Sequence, residues 1–452
     1  MISDREETKK GRQQAERQTT AKDLGVVFDR QRETLGDYFT LQRGTTYKSM
    51  LLGQPGPVLL GLATIQRNGG FRTDSLQTYG GQSPNKLIVY PGELYLSLKD
   101  VTQSADLLGA VARLPHDHLP GRLTQDTVKL EPRDADVPLD YLYWLLRTPQ
   151  YRGYCRAHAT GTTNLGLARE DFLTFPAPEP TLVQLHIVRT LDALERKIEL
   201  NRKRNETLEA MARALFQSWF VDFDPVRAKA EGRDPGLPAD IAALFPDSFE
   251  NSELGDIPMG WRAGSLSDVA LLNPESWSRS TKPESIRYID LANTKWGRIE
   301  AITVYSKEDA PSRAQRVLRY GDTIVGTVRP GNGSYALIAE EGLTGSTGFA
   351  VLRPRKYEYR DFIYLAATAQ DNIEALAHLA DGGAYPAVRP EVVIAKQIVT
   401  PPDAVIAHFS KLTGQLISRL AEGERESRTL AALRDTLLPK LISGEISAIG
   451  RP

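Results

Sequence analysis

Val89-Tyr90-Pro91-Gly92-Glu93-Leu94-Tyr95-Leu96 sets a glycine and an acid in a turn and runs straight into an apolar strand. Leu318-Arg319-Tyr320-Gly321-Asp322-Thr323-Ile324-Val325 repeats that plan far along the chain. Landmarks on either side keep step. Val128-Lys129-Leu130-Glu131-Pro132 answers to Val351-Leu352-Arg353-Pro354. Asp140-Tyr141-Leu142-Tyr143-Trp144-Leu145-Leu146 answers to Asp361-Phe362-Ile363-Tyr364-Leu365-Ala366-Ala367, an acid before an apolar run suited to a buried helix. Gly161-Thr162-Thr163-Asn164 and Gly382-Gly383-Ala384-Tyr385 then open the last stretch of each copy. That stretch ends at Pro176, Pro178 and Pro180, or at Pro401 and Pro402, which close the module and lead into a helix. A period of about 222 positions is too long for a solenoid and reads as a duplication of whole domains.

The helix after the first copy is predicted from Leu182 to about Phe223, with Leu191, Leu194, Ile198, Leu208, Ala212 and Leu215 on alternating three- and four-residue steps. Leu416, Leu420, Leu430 and Leu437 form the matching stripe after the second copy, so each helix is the natural partner of the other. Asn201 and Asn205 interrupt the first seam, and Gly423 and Ser427 the second; polar seam positions fix register and orientation. At 1.5 Å per residue each helix spans about 50 Å, long enough to act as a spacer.

The expected fold is α/β (α+β): two pseudo-symmetric modules, each followed by a long helix, with the two helices paired as an antiparallel coiled coil. Its parts are a charged N-terminal extension (1–34), the first module (35–180), the central helix (181–223), a linker (224–260), the second module (261–402), the C-terminal helix (403–446) and a tail (447–452). The linker is read as irregular because it holds Pro225, Pro235, Pro238, Pro246 and Pro258 with Gly232, Gly236, Gly255 and Gly260. A chain of 452 residues, 41% hydrophobic and 25% charged, suits two or three folded domains and excludes wholesale disorder. No apolar run is long enough to cross a bilayer, so no membrane role is expected. The single cysteine, Cys155, points to a reducing compartment, the cytoplasm. Net charge is −1, so any contact with nucleic acid must come from the local placement of cations.

Catalytic signatures are missing from the sequence. It has no GxxxxGK[ST] loop, no GxGxxG after a strand, no GxSxG elbow and no Asn-Pro-Pro-Tyr type motif. His116-Asp117-His118 lacks the further ligands a metal needs and reads as a loop. Asp222, Asp224, Lys229 and Glu231 match a helix end better than a nuclease cluster.

Three phrases carry a family resemblance. Leu208-Glu209-Ala210-Met211-Ala212-Arg213-Ala214-Leu215-Phe216-Gln217-Ser218-Trp219-Phe220-Val221-Asp222-Phe223-Asp224-Pro225-Val226-Arg227-Ala228-Lys229, Gly255-Asp256-Ile257-Pro258-Met259-Gly260-Trp261 and Leu433-Arg434-Asp435-Thr436-Leu437-Leu438-Pro439-Lys440-Leu441-Ile442-Ser443-Gly444-Glu445-Ile446 resemble the specificity subunits of type I restriction-modification systems. From about Leu35 onward nearly the whole chain shares the likeness. It implies two target recognition domains, each reading half of a split double-stranded DNA sequence. It further implies docking of two methylation subunits that bind S-adenosylmethionine, and of restriction subunits driven by ATP with Mg2+; this chain itself holds no cofactor or metal and is not an enzyme. The extension before Leu35 is longer than the family's habit, and Gly382-Gly383-Ala384-Tyr385 departs from the pattern that Gly161-Thr162-Thr163-Asn164 keeps.

Base reading needs Arg or Lys for guanine, Asn or Gln for adenine and a methyl contact for thymine, presented from loops. The candidates are Arg43, Thr45, Lys48, Lys99, Thr162, Thr163 and Asn164 in the first module, and Arg279, Lys282, Arg329, Asn332, Tyr335 and Tyr385 in the second. Arg202-Lys203-Arg204 could line a DNA channel or be a solvated face. Phe216, Trp219, Phe220 and Phe223 make one apolar helix face, open to two readings: packing within the chain, or docking of a methylation subunit. Two other classes stay open, a self-contained nuclease or methyltransferase with an unrecognised site, and a duplicated coiled-coil scaffold.

Overall fold

A computed structural model describes residues 32–73, 76–102, 104–162, 164–278, 280–381, 383 and 385–443. The chain forms two compact units. One holds residues up to Arg196 together with those from Ala431 on, and the other runs from Lys197 to Leu430. Each long helix is therefore shared, a division that the linear succession of domains read from the sequence does not contain.

Among the described residues of the first unit nine strands follow in order: β1 (Phe39–Arg43), β2 (Val58–Leu60), β3 (Ile88–Val89), β4 (Leu94–Ser97), β5 (Lys99–Asp100), β6 (Val111–Arg113), β7 (Gly121–Leu123), β8 (Thr127–Pro132) and β9 (Leu165–Gly166). They build a sheet of order β1-β8-β4-β6, a second of order β2-β7-β3, and the pair β5-β9. With them come α1 (Leu35–Tyr38), α2 (Leu139–Leu145), α3 (Pro149–Ala157), α4 (Arg169–Leu173) and the start of the 39-residue α5 (Leu182–Phe220). α1 starts at a capping box in which Asp37 accepts from the Thr34 backbone N–H. α2 is buried along nearly its whole length, from Tyr141 to Leu145, beneath the sheet residues Leu94, Leu96, Val111 and Leu130.

The second unit contains α6 (Asp224–Ala230), α7 (Ala239–Ala242) and the hairpin of β10 (Phe249–Ser252) with β11 (Gly255–Pro258). The stretch expected to be an irregular linker is thus folded. Its prolines start helices, Pro225 within the first turn of α6 and Pro238 at the cap of α7, and Gly255 takes φ +92° in the hairpin. There follow β12 (Arg262–Ser265), α8 (Leu266–Val269), β13 (Ala270–Leu272), β14 (Ser285–Ile289), β15 (Thr294–Lys295), β16 (Arg298–Ile299), β17 (Thr303–Ser306), β18 (Ala314–Leu318), β19 (Thr323–Gly326), β20 (Tyr335–Leu337), β21 (Leu343–Ser346) and β22 (Phe349–Pro354). α9 (Arg360–Ala367), α10 (Gln370–Leu379), α11 (Pro390–Ile394), β23 (Gln397–Thr400) and the 35-residue α12 (Asp403–Leu437) complete the unit; α13 (Lys440–Ser443) lies in the first.

Strand order in the second unit is β13-β22-β19-β20 in one sheet and β17-β14-β21-β18 in another. Taken in chain order, these positions match those of the first unit, with β17 as an added edge. The parallel pair β2-β7 has its match in the parallel pair β14-β21. α8 begins at a second capping box, Ser265 with Asp268. The turns that precede β4 and β19 are built alike. Gly92 and Gly321 both take φ +88°, while Glu93 accepts from the Tyr90 N–H at 2.7 Å and Asp322 from the Arg319 N–H at 2.8 Å.

The long helices are bonded within each unit. In the first, Gln184 Nε2 donates to the Leu441 carbonyl at 2.9 Å, and Glu195 pairs with Arg147 at 2.6 Å and Arg434 at 3.6 Å. Desolvation works against the Glu195 charge, but Arg147 and Arg434 hold its carboxyl below the ordinary range. In the second, Asn201 Nδ2 donates to Glu426 at 2.8 Å, and Asn205 Nδ2 to the Leu420 carbonyl at 3.1 Å and to Glu424 at 3.2 Å.

Candidate nucleic-acid interface

In the first unit, pairing of β5 with β9 brings the loop after Lys99 to the segment after Gly161, with Lys99 opposite Gly166 and Asp100 opposite Leu165. Asp100 is fully buried and accepts backbone N–H groups of Thr102, Leu107 and Leu108 at 2.7, 2.6 and 3.2 Å, which fixes the loop. Gly161, at φ +97°, turns where a Cβ would sit 2.4 Å from the Asn164 carbonyl oxygen, so glycine is required there. Thr162 and Asn164 are exposed on that turn, and Thr163 lies outside the described residues. Lys99 and Arg43 reach neighbouring residues of the turn between β7 and β8: Lys99 Nζ pairs with Asp126 at 3.1 Å, and Arg43 Nε donates to the Gln125 carbonyl at 3.4 Å. Thr45 and Lys48 continue from Arg43 on an exposed loop, where the Thr45 hydroxyl accepts from Arg122 at 3.0 Å.

The second unit assembles its cluster at the matching place. Arg329 N–H donates to the Pro386 carbonyl at 2.7 Å and Val388 N–H to the Thr327 carbonyl at 2.9 Å, which ties the loop after β19 to the segment before α11. The Arg329 guanidinium lies 4.7 Å from the Tyr385 ring centroid, a cation–π contact on a tyrosine that is 71% exposed. Asn332 is exposed one turn on, its N–H donating to the Arg329 carbonyl. Arg329 holds φ +47°, a left-handed conformation that costs a non-glycine residue about 1 kcal/mol. Lys282 is half-buried in a separate turn closed by its N–H on the Ser278 carbonyl, and Arg279 lies outside the described residues.

Tyr335 does not belong with them. It is 6% exposed, its hydroxyl accepts from Arg213 at 3.4 Å, and its ring meets Trp296 edge-on at 5.9 Å, so it is a packing residue of β20. Trp296, beside the loop after β19, is an exposed aromatic that the sequence reading missed. It is 38% exposed, adopts φ +47° at the tip of the β15-β16 hairpin, and covers Gly333 so closely that a Cβ there would come to 2.5 Å. The available signal was Trp296-Gly297 between Lys295 and Arg298, a turn flanked by cations. Asn68-Gly69-Gly70 occupies the matching turn of the first unit, with Asn68 at φ +61°.

Phe216, Trp219, Phe220 and Phe223 are 8%, 1%, 5% and 7% exposed. Their rings pack inside the second unit on Phe245, Trp261, Phe362 and Phe409, so packing within the chain accounts for most of this face. The docking reading is corrected for Trp219, which is enclosed. Phe216, Phe220 and Phe223 still line one wall of an open groove of about 930 Å³, together with Ile257, Phe362 and Val399 and the charged Arg213, Asp371 and Lys396. The charged residues near the end of α5 bond locally: Asp222 accepts from Gln217 Nε2, Lys229 Nζ donates to the Ala242 and Phe245 carbonyls, and Glu231 pairs with Arg233. Among the described residues no group of three His, Cys, Asp or Glu could hold a metal ion, and no helix is long and apolar enough to cross a membrane. His116 packs on Gly92, and His118 lies 5.2 Å from the Phe71 ring.

The architecture defines a class first. The fold is that of the S subunit of a type I restriction-modification system from M. genitalium, with a TM-score of 0.53, 15% identity and coverage of 92% of this chain and 97% of that one. No family model matches the chain. Among curated proteins it is similar to the type I restriction enzyme HindI specificity subunit of Haemophilus influenzae, 26% identical over 377 residues, covering 70% of this chain and 79% of the relative. It is also similar to the type I restriction enzyme MjaIX specificity subunit of Methanocaldococcus jannaschii, 23% identical over 329 residues and covering 70% of each. Both curated relatives are type I restriction enzyme specificity subunits, so that is the class of protein this chain is similar to.

Proposed function

We propose that this chain reads a split, asymmetric sequence in double-stranded DNA and directs adenine methylation or restriction by partner subunits, without chemistry of its own. One observation carries the reading: two sheets of matching strand order present, at matching ends, loop clusters of unlike chemistry. One has Arg43, Lys99, Thr162 and Asn164; the other has Arg329, Asn332 and Tyr385. Like frames with unlike tips suit two different half-sites.

The matched strand orders, capping boxes and Gly92/Gly321 turns support a duplication. Bonds from Gln184, Glu195, Asn201 and Asn205 reach residues whose numbers fall, broadly, as those on α5 rise, which supports antiparallel pairing of α5 with α12. We assign the groove beside Phe216 and Phe220 to a methylation subunit, because an apolar floor with charged residues in its lining is the usual make-up of a partner surface.

The test is reconstitution with methylation subunits, S-adenosylmethionine and genomic DNA, followed by mapping of methylated adenines. A split motif with unlike halves is expected. A palindromic or unsplit motif refutes the reading, and methylation or Mg2+-dependent cleavage by the purified chain alone establishes the enzyme alternative.

A further inference from the structure

We propose that Trp296 is a positioning residue: seated on Gly333, its indole aims the Asn332 carboxamide and so sets which base the second unit accepts at one position of its half-site. This rests on the DNA reading proposed above. Asn332 stands between Gly331 and Gly333, the residue type with the freest backbone, so the sequence alone leaves the direction of its side chain loose. Neighbours close over both glycines. A Cβ on Gly331 would come 3.3 Å from the Ala377 Cβ of α10, and one on Gly333 would come 2.5, 2.6 and 2.7 Å from Cδ2, Cε2 and Cε3 of Trp296. The turn between them is tied by the Asn332 N–H on the Arg329 carbonyl at 2.9 Å and the Gly333 N–H on the Pro330 carbonyl at 3.0 Å. Pro330 and Gly333 are buried, while Arg329 and Asn332 are exposed. Two side chains are thus held out from a backbone clamped on either side of them.

The tip of the β15-β16 hairpin is spliced onto this loop by two backbone bonds, the Trp296 N–H to the Gly333 carbonyl at 2.6 Å and the Gly297 N–H to the Tyr335 carbonyl at 3.0 Å. The first unit repeats the splice: the Asn68 N–H donates to the Asp106 carbonyl and the Gly70 N–H to the Val111 carbonyl, each at 2.8 Å. Asn68 and Trp296 both hold left-handed backbone, at φ +61° and +47°. Asparagine adopts that conformation readily, whereas a bulky aromatic is strained in it. The splice uses backbone groups alone and so does not call for an indole; the cover over Gly333 does. Strain of this kind persists where surrounding contacts hold it, and it concentrates at working sites. Tyr335 meets the ring edge-on at 5.9 Å and is itself bonded by Arg213 of α5. A carboxamide that pairs with both N6 and N7 of adenine must be held in one orientation, so the aim of Asn332 decides between bases. Arg329 is tied separately, by its N–H on the Pro386 carbonyl, and its contact should not depend on Trp296.

The experiment measures binding of the complex assembled with methylation subunits to duplexes that carry each single base-pair change in both half-sites. The variants are W296N, which places the first unit's residue at this turn and suits its left-handed backbone, W296F, which keeps a ring over Gly333, N332A, and the double variant N332A/W296N. N332A should lose about tenfold of the discrimination at one base pair. W296N should lose a similar factor at that same base pair, with the rest of both half-sites read as before and melting unchanged, and W296F should keep most of the discrimination. The double variant should read no worse than N332A, because the two residues act through one contact. A W296N that keeps full discrimination, or that acts at a base pair N332A leaves alone, overturns the positioning role. So does a W296N that lowers affinity further in the N332A background, which would give the indole a DNA contact of its own. Discrimination lost at every base pair together with a lowered melting temperature overturns it as well, since the ring would then only hold the fold. A wild-type complex without sequence preference overturns the proposed function instead.

Discussion

Replacing Arg329 by glycine separates recognition from folding. Arg329 sits at φ +47°, where glycine relieves about 1 kcal/mol of backbone strain, while glycine's extra freedom in the unfolded chain costs about the same. Losing the guanidinium from the exposed Tyr385 ring, at 4.7 Å, removes about 0.5–1 kcal/mol. The net change in stability is therefore expected within about 1 kcal/mol, too small to empty the folded state. If Arg329 reads a base, R329G should cost about 1–3 kcal/mol of specific binding, a loss of about 5- to 150-fold, and should relax preference at one position of one half-site. If it touches only a phosphate, affinity should fall evenly across sequences and the slope of log K against log salt should shrink by about one. The assay is binding by the assembled complex to duplexes with single base changes in each half-site, at several salt concentrations. Unchanged affinity and unchanged salt slope refute the placement of Arg329 at the DNA surface.

Two other perturbations test the frame. Trp219→Ala removes an indole that is 1% exposed and packed on Phe220, Phe245 and Phe409, so urea unfolding should show about 3–5 kcal/mol lost; a loss under about 1 kcal/mol would mean that the ring does not close this core. Glu275 is held down to about 2, first by its hydrogen bond from Arg319 and then by Arg353. A carboxyl lowered by folding lends stability above its unfolded value of 4.5 and loses it as pH falls through about 2. Across that window the advantage of wild type over E275Q in urea midpoint should shrink toward zero, and a constant difference would show that the two arginines do not stabilise the charged form.

The mixed α/β frame and its long helices were legible because their signals are local. Glycine and an acid before an apolar run announce β4 and β19, and apolar residues at three- and four-residue steps announce α5 and α12. What hid were features set by contacts distant in sequence. Tyr335 is polar, lies beside a glycine-rich loop and is nevertheless core, because Arg213 of α5 and Trp296 of a separate hairpin close over it. The prolines and glycines from Pro225 to Gly260 were read as breaking structure when they begin and turn short elements. Trp296 escaped notice because its left-handed backbone and its seat on Gly333 are tertiary facts with no periodic trace.

The same contrast bears on how such a protein can change what it reads. The β-sheet residues that match between units are buried and tied by backbone ladders, so a substitution there costs core packing. The cluster residues hang on a few backbone bonds, those of Asp100 in one unit and of Arg329 and Val388 in the other, and their side chains are exposed. Exposed loop substitutions usually move stability by less than about 0.5 kcal/mol, whereas a base contact is worth about 1–3 kcal/mol of discrimination. On the proposed reading, sequence preference can therefore drift at either tip while the frame stays as it is. An exchange confined to Arg329, Asn332 and Tyr385 should accordingly alter one half of the motif and leave the other half untouched, and a change in the other half would show that the two tips are coupled.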